Sequence, residues 1–336
     1  MNEFQNILFV SQGLEDETSA LTHALFLARQ SDAEFKVLVV RPDWTQALKA
    51  YEKQFELSLV ERIKVMLCSS QQGLVRQVAD EKANTDDATI EEFGSGEFRI
   101  HSQGLTVPVI VKSGSMLGVQ IVQHVLRDGH DLVIKQAESK GGVKGFKAID
   151  LALLRKCPCP VFLIRHAGGL DPKIKVGVAI DPESSTSEGN DLSLRLLRAA
   201  ASYAKLCATD FQVVACWDCD LEGSVRGNPW LRMPDAEVDN LVATARTRSK
   251  AALDKLLTQA STPSGVQVHH LRGDPSQAIP EFVEVEGVDI LMMGTVGRTG
   301  ISGFIIGNTA ENIVQKLECS LIAFKPNGFV SPVKAY

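Results

Sequence analysis

The sequence predicts two tandem α/β domains, each a doubly wound parallel sheet of five strands. Three observations predict it. Aliphatic runs alternate with amphipathic segments, the order that folds as parallel strands joined by right-handed helical crossovers. The runs are continuously apolar rather than alternating, as strands covered on both faces must be. The pattern also occurs twice. Ile7-Leu8-Phe9-Val10-Ser11-Gln12 is matched by Val176-Gly177-Val178-Ala179-Ile180-Asp181, and Phe35–Val40 by Phe211–Cys216. Asp131–Lys135 is matched by Asp289–Met293, and Arg155–Ile164 by Gln315–Phe324. A single duplication of this length means two similar domains, not a solenoid. The joint His166-Ala167-Gly168-Gly169-Leu170-Asp171-Pro172 has turn composition, which sets the expected domains at 1–167 and 171–336.

In the second half, strands are expected near 174–180, 210–217, 266–271, 288–293 and 320–324. Helices are expected near 189–207, 235–260, 275–286 and 308–317. Leu192, Leu196, Leu197, Ala200 and Ala204 give the first of these helices an apolar face at helical spacing. The first half follows the same order but is longer between its second and third strands. There Trp44 to about Ala83 reads as helical. Asn84 to Gln103, with Asn84-Thr85-Asp86-Asp87 and Gly94-Ser95-Gly96, reads as an irregular loop.

Composition narrows the function classes. The net charge is −6 and no polybasic run offers a footprint for a phosphate backbone, so no nucleic-acid partner is expected. No apolar stretch approaches the ~20 residues that span a bilayer. The N-terminal residues lack a positively charged segment, so no signal peptide is expected and the location is read as cytoplasmic. The cysteines are scattered. Cys157-Pro-Cys159 and Cys216-Trp-Asp-Cys219 are the nearest approach to a metal or redox pair, and a second pair of ligands is lacking. Buried thiols in a reducing compartment are the plainer reading. His269 and His270 are adjacent on a strand and face opposite sides, so they do not chelate one metal as a pair.

The chemistry concentrates in Gly294-Thr295-Val296-Gly297-Arg298-Thr299-Gly300 and the residues up to Gly307-Asn308-Thr309. This stretch follows an apolar strand and precedes a helical pattern. Glycines there let a ligand approach the backbone closely. The helix that follows offers unpaired N–H groups and the positive end of its dipole to an anion. Asp181, Cys216 and Gly294 all fall at the carboxyl ends of strands, where doubly wound sheets receive ligands. Plainer readings stay open: glycines for tight turns, Asp181 as a turn cap, Arg298 as a solvated loop residue.

Gly294, Gly297 and Gly307 hold a spacing of Gly, two residues, Gly, nine residues, Gly, and in this the chain resembles the universal stress protein family, in particular its tandem-domain members. The resemblance spans the whole chain and is strongest from Asp289 to Lys325. It implies the adenine nucleotide alpha hydrolase-like, Rossmann-like fold, with the two halves packed as an intramolecular pseudo-dimer and further pairing into a homodimer as an option. It also implies a site for ATP or ADP, with Mg accompanying the nucleotide. Asp181 would meet ribose and adenine, and Cys216 would offer backbone groups to adenine. Gly294, Thr295, Gly297 and Arg298 would close over ribose and phosphates. Gly307, Asn308 and Thr309 would hold phosphate at the helix start. One departure is visible. Family members that bind nucleotide carry Ser or Thr after the last glycine, and this chain has Asn308, which offers an amide donor and a helix cap but no hydroxyl.

The first half departs further. Gln12 stands in the place of Asp181, Gln136 and Ser139 in those of Gly294 and Gly297, and Lys147 and Ile149 in those of Gly307 and Thr309. Side chains there would fill the space a phosphate needs. Lys140, Gly141, Gly142, Lys144 and Lys147 form either a site for another anion or a solvated charged loop. No G-x-x-x-x-G-K-[ST] motif occurs and no catalytic constellation is legible. The expected function is therefore ligand-binding regulation in a stress response. A scaffold that binds no nucleotide, a carrier of a lipid or metabolite, and a slow ATPase stay as alternatives.

Overall fold

A computed structural model describes residues 4–13, 17–43, 45–76, 88–138, 145–165, 174–226, 233–295 and 306–336. Two units emerge. The first comprises Met1–Gly142, Phe146–Asp171 and Val330–Tyr336; the second comprises Val143–Gly145 and Pro172–Phe329.

In the second unit the aliphatic runs become β8 (Val176–Ile180), β9 (Phe211–Trp217), β10 (Gln267–Arg272), β11 (Ile290–Gly294) and β12 (Ser320–Phe324). They pair in the order β10-β9-β8-β11-β12. Every pairing is parallel. This is the predicted doubly wound, five-stranded sheet. Its helices are α5 (Ser187–Leu206), α6 (Asp220–Arg226), α7 (Asp235–Gln259), α8 (Pro275–Glu286) and α9 (Asn308–Lys316). Thr186 starts α5 by accepting the Gly189 N–H at 3.1 Å, which satisfies one amide that the helix leaves unpaired. The predicted face of α5, Leu192, Leu196, Leu197, Ala200 and Ala204, is buried. The short α6 was not predicted; seven residues are too few for a helical period to stand out.

The first unit repeats this plan with β1 (Asn6–Ser11), β2 (Glu34–Arg41), β5 (Leu105–Ser113), β6 (Leu132–Gln136) and β7 (Val161–Ile164). Its helices are α1 (Thr18–Ser31), α2 (Glu52–Arg76), α3 (Leu117–Asp128) and α4 (Ala148–Lys156). The strand order is β7-β6-β1-β2-β5-β4-β3, where β3 (Thr89–Gly94) and β4 (Glu97–Ser102) are an addition to the edge. β4 runs antiparallel to both of its neighbours. The expectation of an irregular loop over 84–103 and of five strands in this half is therefore corrected. Gly94-Ser95-Gly96 is the turn of a hairpin, with Gly96 at φ +74°. The signal for β4 was present in its alternation: Phe98, Ile100 and Ser102 are buried while Glu97 and Arg99 are exposed. Glu92 and Arg99 sit among so many polar residues that the strand pattern reads as loop composition.

The core of each unit lies along its central strand. Ile7, Leu8, Phe9 and Val10 are fully buried, as a strand flanked by sheet on both edges and helices on both faces must be. His23 of α1 lies in this core, edge-on to Phe162 with ring centroids 5.2 Å apart. Burial lowers its pKa to about 4. The unfolded chain takes up that proton near the ordinary 6.5. Folding stability is thus full above about pH 6.5 and declines as pH falls toward about 4. We expect urea midpoints to drop across that window, with His23 alone contributing up to about 3 kcal/mol. Replacement His23→Leu should flatten the profile; an unchanged slope in the variant would contradict this account.

Candidate functional site

The connection from β8 goes to β9 on one side, while β11 lies on its other side. The crevice at the carboxyl ends of β8 and β11 is thus the topological switch point of the second unit. Asp181 follows β8 directly. Its Oδ1 accepts the Glu183 N–H at 3.2 Å, and its backbone carbonyl accepts the Ser193 hydroxyl at 3.2 Å. The carboxylate therefore has a local turn partner and still lies half-exposed on the rim.

Cys216, in β9, is half-buried. Burial pushes its thiol up to about 11, and the Asp274 and Asp181 carboxylates push the same way. It is a protonated thiol at neutral pH, not a nucleophile. The carboxylates acting on it show that Asp274 shares this rim. Asp274 caps α8, accepting the Ser276 N–H at 2.6 Å, and its hydrogen bonds with Ser276 hold its pKa below the ordinary value.

Gly294 ends β11. A Cβ there would come within 2.7 Å of the Leu192 Cδ2, so this glycine lets α5 pack close to the strand end. Thr295 is fully buried. Its N–H donates to the Phe324 carbonyl at 3.1 Å, its carbonyl accepts the Gly307 N–H at 2.9 Å, and its hydroxyl receives the Lys325 ammonium at 2.8 Å. All three groups of Thr295 are engaged inside the protein, so it acts as an anchor that ties both ends of the glycine-rich stretch. Lys325, itself buried, also stands 4.8 Å from the centre of the Phe329 ring.

Gly307 is the N-cap of α9 and supplies no side-chain cap. Its carbonyl receives the Glu311 N–H at 2.8 Å. Asn308 and Thr309 follow with exposed side chains, and the first amides of a helix have no intrahelical partner. Gly297 and Arg298 lie outside the described residues, as do Ser139 to Lys144 of the first half. Sequence reasoning thus named the rim residues Asp181, Cys216, Gly294 and Gly307 but not Lys325. Nothing in a lysine at a strand end distinguishes a buried anchor from a solvated charge.

His269 and His270 are structural. His269 Nε2 lies 3.0 Å from Gln212 Oε1, and His270 Nε2 lies 3.0 Å from the Ser249 hydroxyl. Trp217 is buried and stacks on His270 with centroids 5.8 Å apart.

The equivalent rim of the first unit is filled by its own side chains. Lys135 and Asp150 are completely buried and pair at 3.0 Å. The same ammonium donates to the Gln136 carbonyl at 2.8 Å, and the second Asp150 oxygen accepts the Glu138 N–H at 3.2 Å. Beside them the Ser11 hydroxyl donates to buried Glu17, which also accepts the Gln12 N–H at 3.2 Å. Burial raises the Glu17 pKa, with Ser11, Gln12 and Lys135 opposing. In the second unit the positions of Lys135 and Asp150 are held by the buried apolar residues Met293 and Ala310.

Fold and rim together define an α/β protein whose parallel strands end at a half-exposed rim between β8 and β11. Residues 3–165 and 175–325 each match the Universal stress protein family, and the chain belongs to that family. It is 26% identical over 340 residues to Universal stress protein E of Photorhabdus laumondii, covering 100% of this chain and 99% of the relative. Against Universal stress protein E of Escherichia coli K12 the identity is 27% over 341 residues, covering 99% and 98%. Among solved structures, the functionally unknown protein PA1789 of Pseudomonas aeruginosa PAO1 superposes with a TM-score of 0.67 at 20% identity, covering 98% of this chain and 95% of that one. A universal stress protein of Archaeoglobus fulgidus superposes with a TM-score of 0.57 at 13% identity, covering 98% and 99%.

The buried pair of the first unit has a measurable signature. Lys135→Met leaves the Asp150 carboxylate buried without its cation and should lower stability in urea by about 3–5 kcal/mol. Adding Asp150→Leu should restore most of that loss. A double variant as unstable as the two single losses added together would show that the two residues do not act as a pair.

Proposed function

We propose that the second unit binds an adenine nucleotide, ATP or ADP, or another phosphorylated ligand, and that the protein is a cytoplasmic regulator of a stress response rather than an enzyme. The observation that carries this reading is the start of α9. Gly307 leaves the helix without a side-chain cap, and Asn308 and Thr309 are exposed beside it. Uncapped amides and the positive end of the helix dipole suit a phosphate. Asp181 on the half-exposed rim of β8 is an acceptor for ribose hydroxyls, and the backbone beside Cys216 is available to a purine edge. Mg would enter with the phosphates. Gly297 and Arg298, by their place in the glycine spacing, would complete the phosphate contacts. Thr295 holds the stretch in position through Lys325 and Phe324. Binding would alter a surface read by a partner. Among the described residues no helix is long and apolar enough to cross a membrane.

Calorimetry with ATP, ADP and AMP tests it. Asn308→Asp adds a negative charge at the first helical position. That charge should stabilise α9 by about 0.3–1 kcal/mol while weakening any phosphorylated ligand by about tenfold. Absence of measurable affinity in the wild type for all three nucleotides would remove the nucleotide reading. Equal affinity in wild type and variant would remove α9 as the phosphate site.

A further inference from the structure

At the amino-terminal end of the first unit's sheet, three ligand-type side chains converge. α3 carries His124 and Asp128 one turn apart, so they share a helix face. Gly129 then closes the helix in the left-handed conformation, φ +67°, with its N–H on the Val125 carbonyl at 3.0 Å and the His130 N–H on the same carbonyl at 3.2 Å. This cap folds His130 back against the last turn. One nitrogen from each ring and a carboxylate oxygen come within 4.8 Å of one another. The two rings lie 5.3 Å apart, tilted by 37°.

The second observation is independent of that convergence. His124 is 2% and His130 4% exposed, yet His124 Nε2 and both ring nitrogens of His130 make no hydrogen bond of good geometry, the Asn6 backbone being the polar group that approaches His130. Buried polar atoms are nearly always satisfied, and leaving one unsatisfied costs about 1–3 kcal/mol. His124 Nε2 stands 3.6 Å from Asp128 Oδ2, too long for a hydrogen bond. It is close to the ~3.3 Å that separates two ligands of one tetrahedral zinc ion.

The duplication supplies a control. In the second unit the matched turn follows α8, and the positions of His124 and His130 are held by Phe282 and Val288. Both are buried and packed near Gly177 of β8. The flanking residues keep their roles: Asp131 accepts the Gln5 and Asn6 N–H groups at 2.7 and 3.0 Å, and Asp289 accepts the Lys175 N–H at 2.9 Å. The fold is thus satisfied by apolar residues at both histidine positions, and the histidines need another reason.

We propose that His124, Asp128 and His130 form a binding site for a divalent transition-metal cation, zinc best fitting the donor set, with a fourth position open to water or an incoming ligand. Two imidazoles and one carboxylate suit zinc better than magnesium or calcium. Asp128 is partly exposed, so a cation arrives from solvent and the carboxylate can adjust to close the site. Burial keeps both rings neutral, with His124 at about 4, which is the form that ligates. The negative end of the α3 dipole favours a cation. Lys36, 4.0 Å from Asp128, together with Lys112 and Arg127, opposes it. Burial already weakens the Lys112 ammonium, and the long Lys36 contact contributes little.

The full-length chain, stripped with a chelator, would be titrated with Zn²⁺ against a chromophoric competitor and separately with Co²⁺. We expect a tight zinc equivalent in the wild type that weakens by about tenfold or more in Asp128→Asn and in His124→Gln/His130→Gln. The cobalt form should show visible d–d bands without a thiolate charge-transfer band. Far-UV circular dichroism checks folding, and if the double variant fails to fold, the exposed Asp128→Asn decides alone. No zinc binding, unchanged affinity in Asp128→Asn, or a thiolate band that assigns the metal to cysteines would each overturn the proposal.

Discussion

A parallel sheet covered by helices on both faces can meet a small ligand only along the rim where its strands end. The rims of the two units are shaped by that constraint. Strands such as Ile7–Val10 and Val176–Ile180 are buried throughout, so no polar group can act from the middle of the sheet without a partner. The connections that reverse direction at β8 and β11 leave a crevice between them, and the same reversal at β1 and β6 leaves another. What can enter each crevice is decided by the side chains that stand in it.

The two crevices solve the same electrostatic problem in opposite ways. In the second unit, Met293 and Ala310 keep the floor apolar, Gly294 lets α5 pack close to the strand end, and α9 begins without a side-chain cap. The positive end of that helix then has Glu311 as the acidic side chain of its first turn. In the first unit the ammonium of Lys135 supplies the positive charge from inside, and Asp150 and the neighbouring Glu17 supply the anions. A buried ion pair gains little over an apolar pair, so Lys135–Asp150 is poorly explained as a device for stability. It ties β6 to α4 and engages the backbone at Gln136 and Glu138.

Much of this was legible in the sequence because its signals were either long or repeated. Continuous aliphatic runs revealed nine of the strands through their period and through the duplication, β5 excepted in its detail. The β3–β4 hairpin was hidden because its strands lie at a solvent-facing edge, where Glu92, Glu97 and Arg99 make an alternating strand look like a polar loop. The rim glycines were legible because glycine has a spacing. Lys325 and the Lys135–Asp150 pair were not, because a buried charge differs from a solvated one only by what the fold places around it, and fifteen residues of separation match neither a helical nor a strand period.

The duplication allows a stronger argument than either half gives alone. Two copies of one fold in one chain share the demands of packing, so positions where they agree report the fold. Positions where they diverge from apolar to polar at equal burial report something else. Asp131 and Asp289 agree, each holding the amides that precede the central strand of its sheet. Lys135 and Asp150 diverge from Met293 and Ala310, and their polar atoms are paired with each other and with backbone. His124 and His130 diverge from Phe282 and Val288, and three of their ring nitrogens make no hydrogen bond of good geometry. Among the divergent buried positions described, the first kind is closed by the protein itself. The second kind remains chemically open, at the end of the sheet opposite the rim.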